Sequence, residues 1–488
     1  MEKKVTYAEA ILVDEIKVLN VPNDPNNPND LNDLNDPKFP KDLKLPNDLN
    51  DPKLPKDLKL LNDPNDLKLL NDLNGPNNPN DLKLTTRRIL VAGNRSGGVA
   101  VAAMRRWPEA EVVAHAFDYH HARAIRKRLL DEGLPARNVR CSAGVGTVGT
   151  DPIPSVGTDP MPSATAECRP FDAAFFMTTP QSMPAELVLD QLQDIHLNLA
   201  EGGALYAAFE GDPDEALKTM RLVWKNVNVL KRAKHAVLFR AVKRGAPVKM
   251  RDFAANWEAS VPGGEPLTFT TYPGCFCHRR PDAGGLALAE VAAREVKGES
   301  RKVKGESRKV KGEGGKVKGE GGKGNDEEEG KTPFTFHPSP FTILDMGCGC
   351  GLVGLLVADA LRTFHPSPFT FHLTLIHLTL IDSHARAIAA AKANAARAGI
   401  EAEFILSDDG LPRGRVGEYD LFVGNPPYYS DYRIAEVFLE TAYRALKPGG
   451  ICLTVVKTAT GLLALQEKYF RKAEVIKRRG YCVLRSVR

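Results

Sequence analysis

An apolar, β-like run followed by a helical pattern recurs through two stretches of this chain, residues 86–245 and 333–488. That alternation is the pattern of a parallel sheet covered by helices, so the chain is predicted to be an α/β protein built twice. In the second stretch the strands are expected at 342–345, 378–382, 403–406, 420–424 and 451–457, with helices at 352–362, 385–398 and 434–446. The first stretch repeats the order, with strands at 88–92 and 111–118 and a helix at 120–132. Phe171-Asp172-Ala173-Ala174-Phe175 parallels Tyr419-Asp420-Leu421-Phe422-Val423, and Glu201-Gly202-Gly203 parallels Pro448-Gly449-Gly450. A duplicated domain is the economical reading.

Between these stretches the chain loses its globular character. Residues 21–84 cycle through Asn, Asp, Pro, Leu and Lys, with Pro too frequent for helix or central strand and apolar residues too sparse to offset ordering entropy. Residues 296–323 repeat every seven, but with one apolar residue and a Gly in each repeat there is no seam for a coiled coil. Both are expected to be disordered inserts, the second a basic, flexible linker that ends in Asp326-Glu327-Glu328-Glu329. The near-identical octets Val148–Ser155 and Val156–Ser163, and Thr335–Thr342 reappearing as Thr363–Thr370, read as lengthened loops, which cost little because closure entropy grows logarithmically. The expected layout is therefore 1–85, 86–245, a connecting segment 246–295, a charged linker 296–332 and a second domain 333–488.

Composition narrows the setting. With 42% apolar and 26% charged residues the chain can bury a sizeable core, and no run approaches the ~18 apolar residues of a membrane span. Met1-Glu2-Lys3-Lys4 is not followed by an apolar stretch, and eight cysteines are too few for a disulfide scaffold. A cytoplasmic protein with no membrane partner is expected. The net charge of +5 permits a nucleic-acid partner without requiring one.

The chemistry concentrates in the second half. Asp345-Met346-Gly347-Cys348-Gly349-Cys350-Gly351 lies between a predicted strand and helix. Alternate glycines let the backbone bend tightly and approach a ligand, and the next helix offers free N–H groups to an anionic one. Asp382 ends the second strand and Asp408 follows the third, each also placed where a helix or turn could use it as a cap. Asn425-Pro426-Pro427-Tyr428 follows the fourth strand directly. Two prolines stiffen the backbone and remove two donors, leaving the Pro426 carbonyl and the Asn425 side-chain oxygen as acceptors for one planar NH2 group. Tyr428 supplies a ring on which the bearer of that amine can stack.

The glycine turn resembles motif I of the class I S-adenosylmethionine-dependent methyltransferases, and the tetrapeptide is similar to the NPP(Y/F) motif of those that methylate amines. The resemblance implies that Asp345, Gly347, Gly349 and Gly351 hold the methionine part of the cofactor, Asp382 the ribose and Asp408 the adenine amine, with Asn425 shared between cofactor and substrate. The interval from Gly351 to Asp382 exceeds the family's, and the duplicated 363–377 stretch accounts for the excess. Thr268–Phe276 followed by Asp282-Ala283-Gly284-Gly285, the closing run 473–488 and the two-half layout resemble the RsmC-type ribosomal RNA guanine-N2 methyltransferases. That resemblance implies two tandem Rossmann-like methyltransferase domains, the N-terminal one degenerate and the C-terminal one catalytic. It further implies S-adenosylmethionine (AdoMet) as cofactor and a guanine of ribosomal RNA, in the small-subunit 16S rRNA, as substrate, with a monomer expected from the duplication. Protein glutamine N5-methylation uses the same tetrapeptide, and a non-catalytic RNA-binding assembly factor is the reading from another class.

In the first half the matching turn, Gly93-Asn94-Arg95-Ser96-Gly97-Gly98, lacks the acid, and Thr178-Thr179-Pro180-Gln181 stands where the tetrapeptide would be. No cofactor is expected there. Arg87, Arg88, Arg105, Arg106, Arg123, Arg126, Lys127 and Arg128 are candidates for phosphate contacts, or a solvated face. Cys275, Cys277, Cys348 and Cys350 lack zinc spacing, so no metal is expected. His365, His372, His377 and His384 read as incidental.

Overall fold

A computed structural model describes residues 6–18, 87–93, 95–145, 169–178, 183–310, 340–363, 376–427 and 432–488. The low-complexity stretch 21–84, the octets, the 364–375 insert, most of the charged linker, Tyr428 and the segment 179–182 lie outside them.

The first domain opens with α1 (Tyr7–Val18) and continues β1 (Arg88–Ala92), α2 (Gly98–Arg106), β2 (Glu111–Ala116), α3 (Tyr119–Asp131), β3 (Val139–Cys141), β4 (Phe171–Thr178), α4 (Ala185–Asn198), β5 (Leu199–Glu210), α5 (Pro213–Arg221), β6 (Val227–Arg232) and β7 (Ala236–Val242). A hairpin of β8 (Ala255–Ala259) and β9 (Leu267–Thr271) follows. The second domain runs α6 (Ala283–Val310), β10 (Phe341–Met346), α7 (Leu352–Thr363), β11 (Ile376–Asp382), α8 (Ala385–Ala398), β12 (Ala402–Leu406), β13 (Tyr419–Gly424), α9 (Arg433–Ala445), β14 (Leu446–Val456), α10 (Thr460–Phe470), β15 (Glu474–Arg478) and β16 (Tyr481–Val487).

The two seven-stranded sheets have one topology, β3-β2-β1-β4-β5-β7-β6 and β12-β11-β10-β13-β14-β16-β15. The duplication reaches individual bonds. Arg88 N donates to Asp172 Oδ2 at 2.7 Å, and Thr342 N donates to Asp420 Oδ2 at 2.9 Å. The two double-glycine turns are built alike: at Gly203 a Cβ would press on the Ala200 and Asp172 carbonyls, and at Gly450 on those of Lys447 and Tyr419. The chain is therefore α/β, two tandem Rossmann-like methyltransferase-type domains.

Two expectations need correction, and the segment 1–85 holds more than its repeats: α1 buries Ala8, Ile11, Leu12 and Ile16 in the first domain's core. It precedes β1 as α6 precedes β10, so the 21–84 stretch and the charged linker interrupt equivalent connections. The helix α6 also continues past residue 296 into the seven-residue repeats. Lys, Arg and Glu are good helix formers, and a single Gly costs about 1 kcal/mol rather than ending a helix. Finally, the connecting segment belongs structurally to the second domain. Phe269 and Val261 lie in its core, and the buried Asn394 side chain joins Thr270 N (2.7 Å), Thr270 O (3.0 Å) and Cys350 O (3.0 Å).

The domains meet through equivalent segments. Tyr119 N donates to Ser383 O at 2.8 Å and Ala385 N to Phe117 O at 2.7 Å, around a bridge between Asp118 and His384. Asp118 and His384 are the residues before α3 and α8, so the contact has the self-complementary form of a two-fold dimer made within one chain. His384, read as incidental, sits half-buried at this junction beside the Phe117 ring.

Candidate active site

Strand order reverses at β10, which lies between β11 and β13. In an open parallel sheet the ends of strands at such a point leave a crevice. The glycine turn leaves β10 and the Asn425 segment leaves β13, neighbours paired at Met346 and Gly424.

Gly347, Gly349 and Gly351 all have positive φ, at 69°, 55° and 84°. Backbone bonds pin the turn to the end of β11: Gly347 N and Cys348 N donate to Ile381 O at 2.8 and 2.9 Å. A Cβ on Gly347 would strike Phe438 at 2.8 Å and one on Gly351 Leu355 at 2.9 Å, whereas one on Gly349 would meet no protein atom within 4 Å. All three are favoured by their positive φ; at Gly347 and Gly351 a side chain would also have to displace the tip of Phe438 or Leu355, while Gly349 faces open space. Asp382 Oδ2 accepts from Gly349 N at 2.9 Å and its Oδ1 from His384 N at 2.8 Å. Burial pushes its carboxyl up to about 6.

Asp345 stands behind the turn rather than in it. Only 2% exposed, it accepts from Gly354 N at 2.8 Å in the first turn of α7. Burial pushes its carboxyl up to about 7 from an ordinary 3.8, against the opposing effect of that N–H. The folded state then binds the proton more tightly than the unfolded chain, so this group's stabilising contribution is present below pH 4 and lost as pH rises toward 7. Relative to Asp345→Asn, the wild type will lose about 1–3 kcal/mol of unfolding free energy between pH 4 and pH 8, as read by denaturant titration across that range. A constant difference would mean the carboxyl stays ionised throughout.

Asn425 Nδ2 donates to Asp282 Oδ2 at 2.8 Å. A carboxylate only accepts, so the amide must present NH2 to it and its oxygen to the opposite side. Asp282 is held in turn as the cap of α6, accepting from Gly284 N at 3.3 Å and Gly285 N at 2.6 Å. Its partner could not be read from the sequence, since 143 positions separate it from Asn425. Pro426 is buried and Pro427 partly so, while Tyr428, the expected stacking ring, is outside the described residues.

Asp408 is placed beside this crevice but is already engaged. Ser407 N donates to Asp382 O at 3.0 Å, and Arg123 Nη1 of the first domain donates to Asp408 Oδ1 at 2.7 Å. Arg123 is thus no free phosphate contact. Arg88 is buried against Glu111, Arg105 pairs with Glu132 at 2.6 Å, and Arg128 does so at 3.2 Å. Cys275, Cys348 and Cys350 share the core beneath the turn; burial pushes the Cys275 and Cys350 thiols to about 11 and 12, so they pack as small neutral groups. Among the described residues no group of three His, Cys, Asp or Glu could hold a metal ion.

Residues 335–485 match the family profile "Methyltransferase small domain". The match lies wholly within the C-terminal domain and its preceding linker. Curated relatives include the ribosomal RNA small subunit methyltransferases C of Pasteurella multocida, 32% identical over 104 residues, and of Hahella chejuensis, 36% identical over 118. These alignments cover 21% and 23% of this chain and 25% and 30% of the relatives, so the match spans less than a third of their length. Among solved structures, the T. thermophilus 16S rRNA N2 methyltransferase RsmC, in complex with AdoMet and guanosine, aligns over 82% of this chain and 88% of its own. Its TM-score is 0.55 at 18% identity, a likeness of fold that takes in both domains.

The second half and its duplicate differ most at the turn. By strand register Val91 stands where Asp345 does. A carboxylate nevertheless reaches the first turn of α2, from elsewhere: Glu9 of α1, 3% exposed, accepts from Gly98 N at 3.1 Å and from the Ser96 hydroxyl. A Cβ on Gly98 would lie 2.2 Å from Glu9 Oε1, and one on Gly93 2.0 Å from Met177 O. By the same register Arg95 stands where Gly349 does, so the first half carries a side chain where the second is open, and Glu9 takes up the N-terminus of α2. Glu9→Ala will destabilise the chain by about 1–2 kcal/mol in denaturant unfolding, since it removes the acceptor of the Ser96 hydroxyl and leaves Gly98 N only the Ser96 oxygen at 3.2 Å. A change under 0.5 kcal/mol would show that water replaces the carboxylate.

Proposed function

We propose that this protein transfers a methyl group from AdoMet to the exocyclic N2 amine of a guanine in ribosomal RNA, in the small subunit. The observation that carries the reading is the Asn425 amide, turned by Asp282 so that its oxygen faces away from Asp282 at the mouth of the glycine turn. The residues present fit the cofactor. Gly349 leaves room that no side chain fills, and Asp382, with one hydrogen bond on each oxygen, keeps a lone pair on each for two hydroxyls. The helix α7 turns its first N–H groups toward the same crevice, where a carboxylate is favoured.

AdoMet supplies an electrophilic methyl on a sulfonium, so neither a covalent intermediate nor a metal is needed. The chain's task is positioning and electrostatics. Asn425 Oδ1 and the Pro426 carbonyl accept the two amine protons, which holds the NH2 in place and draws its lone pair out of conjugation with the ring. The product nitrogen is then acidic and releases a proton to water. A paired guanine would have to be unstacked to reach these acceptors. The first half, its turn filled by Glu9, takes no cofactor and braces the second.

Both the paired α/β domains and the shared layout with RsmC favour RNA over a protein glutamine. Among the described residues no helix is long and apolar enough to cross a membrane, and a cytoplasmic site of action at the ribosome follows from the substrate. The test is transfer from labelled AdoMet to isolated small subunits, large subunits and bulk rRNA, followed by nucleoside analysis. N2-methylguanosine from small-subunit RNA and one AdoMet bound per chain are expected. Label on a protein glutamine would transfer the assignment to that reaction, and two AdoMet per chain would refute the role given to the first half.

A further inference from the structure

We propose that the first domain sets the cofactor affinity of the second through Arg123 and His120, positioning residues that hold Asp408. This rests on the reading of the second half as an AdoMet site in which Asp408 meets the adenine amine. Both residues lie in the first turns of α3, in the domain whose own turn is filled. Arg123 Nη1 stands 2.7 Å from Asp408 Oδ1 and 3.3 Å from Asp409 Oδ2, and His120 Nδ1 stands 3.2 Å from Asp408 Oδ2. The Asp408 side chain is only 12% exposed, so a nearly buried carboxylate has its charge met from across the domain boundary.

The geometry leaves Asp408 able to serve a ligand. A carboxylate has about four lone-pair sites, and Arg123 and His120 take one on each oxygen, leaving one on each. The guanidinium fixes the carboxylate's rotamer, so an acceptor for an amine is in place before the ligand arrives. Ser407 N on Asp382 O ties this acceptor to the residue assigned to the ribose. A carboxylate without its cross-domain cation would be free to swing, and its ordering would be charged against binding.

Titration calorimetry with AdoMet and with S-adenosylhomocysteine, on the full chain, tests this. Arg123→Ala will raise both Kd values about 5–20-fold, while kcat at saturating AdoMet stays within about twofold of wild type. Arg123→Lys, which keeps the charge but not the fork, will recover part of the loss. Asp408→Ala will weaken binding at least as much, and the double variant no further than Asp408→Ala alone, because both act through one carboxylate. Glu186→Ala breaks a different cross-domain pair, with Arg279 Nε at 3.0 Å, and will leave the Kd unchanged, which separates this effect from a general loosening of the domains. The proposal is overturned if Arg123→Ala leaves the Kd within twofold while Asp408→Ala weakens it, if the two effects add, or if Arg123→Ala tightens binding, which would make Arg123 a competitor of the adenine. An unchanged Kd for Asp408→Ala beside lost binding for Asp382→Ala would remove Asp408 from the site. No AdoMet binding by the wild type would instead refute the reading on which the proposal rests.

Discussion

Asn425→Ala will lower kcat for methyl transfer by about 10²–10³ while changing the Kd for AdoMet by less than about threefold. The split follows from where the amide is held. Its NH2 is committed to Asp282 at 2.8 Å, so its oxygen is the group left to accept a proton from the substrate amine. Removing that acceptor leaves the amine to water and to the Pro426 carbonyl, which one bond cannot orient. Asp282→Ala tests the same arrangement from behind. The amide would then be free to turn a donor toward the amine, and kcat should fall about 10–100-fold, with about 1 kcal/mol of stability lost as α6 loses its cap. Asp282→Asn keeps an acceptor and should be the mildest of the three. Single-turnover kinetics with calorimetry would decide it. Retention of kcat within tenfold by Asn425→Ala would dismiss the amine-positioning role, and parallel loss of AdoMet binding would show the cofactor share of Asn425 to be the larger one.

The strands marked by periodicity and the glycine turn were legible because each is local. Period-two and period-3.6 patterns mark the elements, and positive φ at Gly347, Gly349 and Gly351 is a demand that only the residue itself can meet. What escaped the sequence depends on distant pairs. Glu9 meets Gly98 and Ser96 across the 21–84 stretch, Asp282 meets Asn425 across the charged linker, and Asp408 meets a residue of the other domain. Asp345 shows a subtler limit: the motif places an acid beside the cofactor, but the structure turns it onto a helix amide. One signal was present and unused. A short amphipathic run with Ala8, Ile11, Leu12 and Ile16 precedes the low-complexity stretch, as a helix precedes the charged linker, and the duplication argument applied there would have located α1.

The same duplication explains why one arginine should carry the junction between the halves. Arg386 lies in the first turn of α8, four positions after Asp382, with its side chain only 5% exposed. Its guanidinium donates to Ala143 O at 2.9 Å and Pro273 O at 3.1 Å, pairs with Asp190 Oδ2 at 2.5 Å and lies 4.2 Å from the Phe117 ring centre. One cation thus ties α4 and the β3 loop of the first domain to the connecting segment and to the helix that follows the ribose acid. Arg386→Met will destabilise the chain by about 3–5 kcal/mol, because it keeps the volume but strands Asp190 and two carbonyls. Adding Asp190→Leu removes the stranded charge and should return a measurable part of the loss, the sign expected when a buried pair is replaced whole rather than halved. Equilibrium unfolding in guanidinium chloride separates these outcomes. A single variant within 1 kcal/mol of wild type would show that the backbone bridge and the other cross-domain pairs hold the domains without it. If instead the loss is as large as expected, AdoMet binding by the folded single variant should weaken too, since the start of α8 positions the His384 N–H that holds Asp382.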